Sequence, residues 1–185
     1  MEYLLVDDDI HLERVKLSHG MLIFDTINHN RDFLRQWLPF VDLTHSVEDT
    51  ERYLETIISS PEKTRNEIYT IWFKGEFSGL AGFKDMDWIN HKAEIGYWLA
   101  EKAQGKGIMT RTVKKMIDFG FRNMNFNRIQ IKVAAGNFKS SAIPKRLHLL
   151  YEGTERNGEF HTDKYFDLEV FSILKHEWIK SLISV

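Results

Sequence analysis

The residues whose types and order point most directly to chemistry are Gln104-Gly105-Lys106-Gly107-Ile108-Met109. Glycines at Gly105 and Gly107 let a backbone approach an anion with no Cβ in the way. The residues that follow place Met109, Val113, Met116, Ile117, Phe121 and Met124 at helical spacing, with Arg111, Lys114 and Lys115 outward. The loop therefore opens a helix, where unpaired N–H groups and the positive end of the helix dipole converge on a phosphate-sized anion. The order is not G-x-G-x-x-G, because Thr110 holds the third glycine position, and it is not a P-loop. An ordinary surface turn is the competing reading of an isolated G-K-G.

Other chemistries are limited by what the chain carries. It has no cysteine, which excludes disulfides, thiolate metal sites and a cysteine nucleophile. Its 8 histidines show no H-E-x-x-H or similar spacing, so no metal is expected, and no G-x-S-x-G elbow is present. Lys plus Arg number 25 against 27 Asp plus Glu, a formal net charge of −2, which argues against general attraction to nucleic acid or membrane surfaces. The five tryptophans read as core residues rather than base-stacking platforms. No apolar run reaches the roughly 18 residues of a membrane span, and the acidic N-terminal segment does not resemble a secretion signal. A cytoplasmic, single domain spanning 1–185 is the expectation.

The elements that must position the loop follow from periodicity. Residues 10–19 alternate and read as a first strand, followed by two short helices around Met21–Ile27 and Phe33–Leu38, the second closed by Pro39. The segment Phe40–His45 reads as a loop, and Ser46 with Asp49 three residues on opens a helix that ends at Ser59-Ser60-Pro61. Glu67–Lys74, Phe77–Met86 and Lys92–Leu99 are strand-like with short connections, hence antiparallel neighbours. Arg128–Ala135 alternates cleanly, so the unit from Lys92 to Ala135 is strand–helix–strand and parallel. Ser140 or Ser141 caps a short helix to Leu149 that holds Pro144 in its first turn, and Tyr151–Asn157 pairs with Tyr165–Lys175 around a loop, Gly158–Lys164.

The string G-Y-W-L-A-E-K-A-Q-G-K-G-I-M-T, with a later N-x-x-S and Y-E-G, resembles the acyl-CoA pyrophosphate loop of the GCN5-related N-acetyltransferases. It is most similar to the branch acting on ribosomal-protein N-terminal serine and alanine. Met109 departs from that family's usual last Gly or Ala, and His148 stands where most members have Gly. The resemblance implies an α+β fold, a mixed and mostly antiparallel sheet of about seven strands with one splayed parallel pair and helices on both faces. It implies acetyl-CoA as co-substrate, with backbone N–H groups of Gln104, Gly105, Lys106, Gly107, Ile108 and Met109 on the pyrophosphate. The strand edge at Tyr97, Trp98 and Leu99 would pair with the pantetheine arm, and a backbone N–H near Trp98 or Leu99 would polarise the acetyl carbonyl. Asn137 would hydrogen-bond the pantetheine.

Ser140 is the candidate acid for the leaving thiolate, with a helix cap as its alternative reading. Glu159 is the candidate base, with a solvated loop charge as its alternative. Asp42 and His45, on the expected lip of the acceptor pocket, could meet a cationic amine. The expected reaction is direct acetyl transfer to a primary amine, foremost the N-terminal α-amine of a ribosomal or other protein, with a homodimer allowed by the resemblance. Acetylation of a polyamine or aminoglycoside, and a CoA-binding module without catalysis, are the alternatives.

Overall fold

The computed structural model describes residues 3–61, 64–161 and 163–183. Its first strand, Tyr3–Leu5 (β1), is absent from the expectation. It runs antiparallel to Ile10–Arg14 (β2) across a turn in which Asp7 Oδ1 accepts from the N–H groups of Asp9 and Ile10 at 3.0 Å each. The acidic run is thus a side-chain-closed turn. β2 stops at Arg14 instead of running on to residue 19. Arg14 pairs with the carboxylate of Glu67, and a 3-10 turn at Leu17–His19 is closed by the Lys16 N–H on His19 Nδ1 at 3.2 Å.

Gly20–His29 (α1), Arg31–Leu34 (α2) and Val47–Ser59 (α3) follow. Pro39 opens a 3-10 helix, Pro39–Leu43, as well as lying past α2, because its fixed φ suits a first helical position. The expected Phe40–His45 loop is therefore partly helical. The Arg31 guanidinium donates to the carbonyls of Val41 and Thr44, which ties that segment to α2. At the start of α3 Asp49 accepts from the N–H groups of Ser46 at 3.1 Å and His45 at 3.0 Å, the expected acid-side half of a capping box.

Glu67–Phe73 (β3) and Glu76–Asp87 (β4) form a hairpin whose two linking residues, Lys74 (φ 52) and Gly75 (φ 80), both take positive φ. Lys92–Leu99 (β5) leads into Ile108–Arg122 (α4), then Arg128–Ala134 (β6) and Phe138–Arg146 (α5). Leu150–His161 (β7), Lys164–Leu174 (β8) and Lys175–Ile183 (α6) complete the described chain. The strand order is β1-β2-β3-β4-β5-β6-β8-β7, eight strands rather than seven, with every pairing antiparallel except β5–β6. The extra strand is β1.

The parallel pair is the feature that shapes the site. β5 and β6 pair only at Lys92–Arg128, Ala93–Ile129 and Glu94–Gln130. Beyond that point β5 stays with β4 as far as Leu99, and β6 stays with β8 as far as Ala134. Gly79 of β4 holds the end of β5, since a Cβ there would lie 2.1 Å from the Trp98 carbonyl oxygen. Only glycine permits that approach. The two strands therefore diverge into a V.

Apolar side chains pack both faces of the sheet. One core joins Phe83, Ile95, Ile129 and Phe171 to the stripe of α4, with Val113, Met116 and Ile117 inaccessible. The other joins Ile23, Ile27, Leu34 and Leu54 of the first three helices to Phe77, Leu80 and Trp98. Each fully buried side chain of this size contributes about 1.5–3 kcal/mol. No helix among the described residues is long and apolar enough to cross a membrane.

Three expectations near the site are corrected. β7 runs through the presumed loop as far as His161, so Gly158 to His161 are strand. α5 is capped by Asn137, whose Oδ1 accepts the Ser140 N–H at 3.1 Å, rather than by Ser140 or Ser141. Pro144 lies inside α5 and not in its first turn, so the carbonyl of Ser140 has no helical donor.

Candidate active site

Strand β5 brings Tyr97, Trp98 and Leu99 to the V, past the last rung it shares with β6. Their edge on that side has no strand partner among the described residues, so it can hydrogen-bond an extended ligand. Directly after β5 the chain makes a 3-10 turn, Glu101–Ala103, and enters the glycine loop. Gly105 (φ 74) and Gly107 (φ 71) both hold left-handed conformations, and a Cβ on either would meet only open space. Glycine is required there by φ rather than by crowding. Gly107 is the N-cap of α4, no side chain caps that helix, and its first turn has no acid. The first N–H groups of a 15-residue helix therefore face an open cleft.

The cleft has a volume of about 890 Å³ and is lined by Tyr97, Trp98, Leu99, Gln104, Gly105 and Gly107, together with Ile108, Met109, Asn137 and Ser140. Ten of the predicted site residues thus share one cavity. Lys106 does not line it, because its ammonium lies 5.8 Å from the Phe73 ring centre. Met109 is 5 % exposed and turns into the core, so its bulk relative to glycine leaves the loop open. Phe33, Leu34 and Trp37 also line it, and Arg111, Lys139 and Arg146 bring cations to it. Arg146 is steadied by Thr110 Oγ1 at 3.1 Å, and Arg111 by Asp7 at 2.8 Å. The Phe40–His45 segment does not line the cleft, and Asp42 is held by Arg35 at 3.0 Å.

Ser140 and Tyr97 form a mutual contact across the V. The Tyr97 hydroxyl donates to the Ser140 carbonyl at 3.1 Å, satisfying the oxygen that Pro144 leaves free, and Ser140 Oγ donates to Tyr97 Oη at 3.4 Å. Burial of the hydroxyl pushes the Tyr97 phenol well above its ordinary range against the opposing Ser140 hydrogen bond, so it stays neutral. Asn137 engages its side-chain oxygen in the α5 cap and keeps its NH₂ for a ligand.

Glu159 does not line the cleft. It lies on β7 opposite Phe166, its side chain is 37 % exposed, and its Oε2 is 2.7 Å from His161 Nε2. The connection to the cleft runs through aromatic rings, since Phe166 meets Trp37 edge-on at 6.2 Å. Sequence reasoning missed Glu94, a carboxylate 4 % exposed on the last shared rung of β5 and β6. Lys84 Nζ lies 2.9 Å from it, and Gln130 Nε2 donates to it at 3.1 Å. Burial lowers the Lys84 ammonium's proton affinity, but the charge and hydrogen bond of Glu94 outweigh it and hold it above the usual lysine range. The cluster pins the apex of the V. A charged residue inside the apolar run A-E-I-G was the available signal.

A splayed parallel pair, a free strand edge and an uncapped helix N-terminus thus meet in one cleft, an arrangement suited to an extended ligand that ends in a phosphate. The acetyltransferase (GNAT) domain model matches residues 9–149, and the chain belongs to that family. It is an acetyl-CoA-dependent N-acetyltransferase. YdaF of Bacillus subtilis, named as a provisional ribosomal N-acetyltransferase, is 33% identical over 177 residues, covering 94% of this chain and 95% of YdaF. The ribosomal-protein-serine acetyltransferase of Escherichia coli is 26% identical over 171 residues, covering 92% of this chain and 96% of that one. A solved structure of RimL, a ribosomal L7/L12 α-N-protein acetyltransferase in complex with coenzyme A, superimposes with a TM-score of 0.89 at 26% identity, over 94% of this chain and 98% of RimL.

Proposed function

We propose that this chain, acting as a single cytoplasmic domain, transfers an acetyl group from acetyl-CoA to the N-terminal α-amine of a protein, a ribosomal protein being the acceptor class its relatives' names indicate. The observation that carries the reading is one cleft holding both the free β5 edge and the uncapped N-terminus of α4. The N–H groups from Gly105 to Met109 hold the pyrophosphate, that of Gln104 being spent on the Glu101 carbonyl at 3.1 Å, and the cations lining the cleft favour an anionic nucleotide. The edge at Tyr97–Leu99 binds the pantetheine amides, helped by the Asn137 NH₂, and an N–H near Trp98 or Leu99 polarises the thioester carbonyl. With no cysteine to carry the acetyl group, the amine attacks the carbonyl carbon directly; the N–C bond forms and the C–S bond breaks. Glu159 takes the proton released by the amine, directly or through a water, and Ser140 Oγ supplies one to the leaving thiolate, its own proton replaced from solvent.

The test is thiol release from acetyl-CoA across a panel of serine- and alanine-initiated peptides, spermidine and an aminoglycoside. Highest kcat/KM on a peptide is expected. A higher value on spermidine or the aminoglycoside overturns the acceptor class, and failure of acetyl-CoA to raise the melting temperature overturns the cofactor site.

A further inference from the structure

Between Glu155 and Glu159 the β7–β8 ladder slips. Their partners, Leu168 and Phe166, are two residues apart on β8, while the two glutamates are four apart on β7. Asn157 absorbs the excess in a left-handed conformation (φ 52), its N–H donating to Asp167 Oδ1 at 2.8 Å. Gly158 presses on Leu168, where a Cβ would stand 2.9 Å from a side-chain carbon. Bulges of this kind re-aim side chains. The residues that follow, Glu159 and His161, fall on one face of the strand by alternation.

They bond to each other, Nε2 of His161 lying 2.7 Å from Oε2 of Glu159. The histidine is the interior partner, 4 % exposed, and the glutamate the accessible one. His161 packs on Phe166 at 4.6 Å between ring centres, and Phe166 meets Trp37, a wall of the acyl-CoA cleft. Facing a carboxylate, Nε2 is the donor of this contact, and Nδ1 needs a partner of its own. That Nδ1 is fully buried and has no hydrogen-bond partner among the described residues. Leaving a buried polar atom unpaired is destabilising, so an apolar residue would fill this site more stably. The histidine's remaining distinctive contribution is its Nε2–H on Glu159.

We infer that His161 is a positioning residue for acetyl transfer, its Nε2–H clamping Oε2 of Glu159 so that the second carboxylate oxygen is presented to the acceptor amine. The inference rests on the reading of Glu159 as the base. The clamp fixes a rotamer of a half-exposed side chain that would otherwise sample several, and it keeps the acceptor oxygen distinct from the anchored one. During transfer the amine proton passes to the free oxygen of Glu159, and His161 keeps its proton throughout.

His161→Leu and His161→Phe, which keep the packing on Phe166, should lower kcat on a serine-initiated peptide by about tenfold to a hundredfold, the range expected when a catalytic group loses its alignment. The KM for acetyl-CoA should stay unchanged. His161→Gln, whose Nε2 sits at the same bond count from Cα and can donate, should recover most of the rate. In a Glu159→Gln background His161→Leu should have little further effect, since residues acting as a unit are not additive. A kcat within twofold of wild type in His161→Leu and His161→Phe, or an undiminished loss from His161→Leu in the Glu159→Gln background, overturns the clamp alone. An unaltered rate in Glu159→Gln overturns the base assignment and the clamp with it, and both outcomes are distinct from absent turnover by the wild-type chain.

Discussion

Replacing Tyr97 by Phe removes one hydroxyl and tests how the mouth of the V is held. Pro144 has no N–H to offer the Ser140 carbonyl four residues earlier, and the Tyr97 hydroxyl supplies the missing donor at 3.1 Å. The returning contact from Ser140 Oγ, at 3.4 Å, is long and contributes little. Loss of a donor from a sequestered carbonyl costs roughly 1–3 kcal/mol, and the lower half applies here because Ser140 is half-buried and water can reach it. About 1–2 kcal/mol corresponds to a fall in melting temperature of roughly 2–8 °C for a chain of this size. Urea denaturation should show a lower midpoint with the same slope. The discriminating assay is a double-mutant cycle with Pro144→Ala, which restores a backbone N–H to the Ser140 carbonyl. In that background Tyr97→Phe should cost about 1 kcal/mol less than in the wild type. Equal costs in the two backgrounds would refute the exchange of donors.

Two further outcomes follow from the geometry. Gly107→Ala puts a Cβ on a residue at φ 71 with open space around it, so strain is the only penalty, about 1 kcal/mol of stability. Relaxation of that strain should tilt the α4 N–H groups and shrink the stabilisation that saturating acetyl-CoA gives, measured by thermal shift. The Arg128 hydrogen bonds hold the Glu152 carboxyl below its ordinary range, burial opposing and Ser172 assisting. A depressed carboxylate contributes stability above its unfolded value, near pH 4.3, that is lost as the pH falls through the lower folded value. Glu152→Gln should therefore reduce stability at pH 7 by more than at pH 3, read from denaturation midpoints at both.

Much of the site was legible because its signals are local. A glycine that must adopt positive φ, an uncapped helix start and an alternating strand are each written in a few neighbouring residues, and all appear at Gly105, Gly107 and Arg128–Ala134. Asn137 and Ser140 both line the cleft, but the α5 cap offered to Ser140 or Ser141 is provided by Asn137. The choice between two neighbouring polar residues for one N–H depends on backbone angles that composition does not encode. Glu159 was placed in a loop, whereas a bulge that costs two extra residues keeps it in β7. Glu94 was overlooked because its partners, Lys84 and Gln130, come from other strands.

The parallel strand–helix–strand unit and the glycine loop inside it could be read from residue order alone. Periodicity and glycine placement act over single turns and strands, where chain connectivity already fixes the geometry. Only tertiary structure decided where β5 and β6 part, which residue closes the gap left by Pro144, and how Glu159 is presented beside His161. Those outcomes depend on contacts between segments far apart in the chain, such as Gly79 against Trp98 and Tyr97 against Ser140. Close packing sets them, and it selects among arrangements that local propensity leaves equally open.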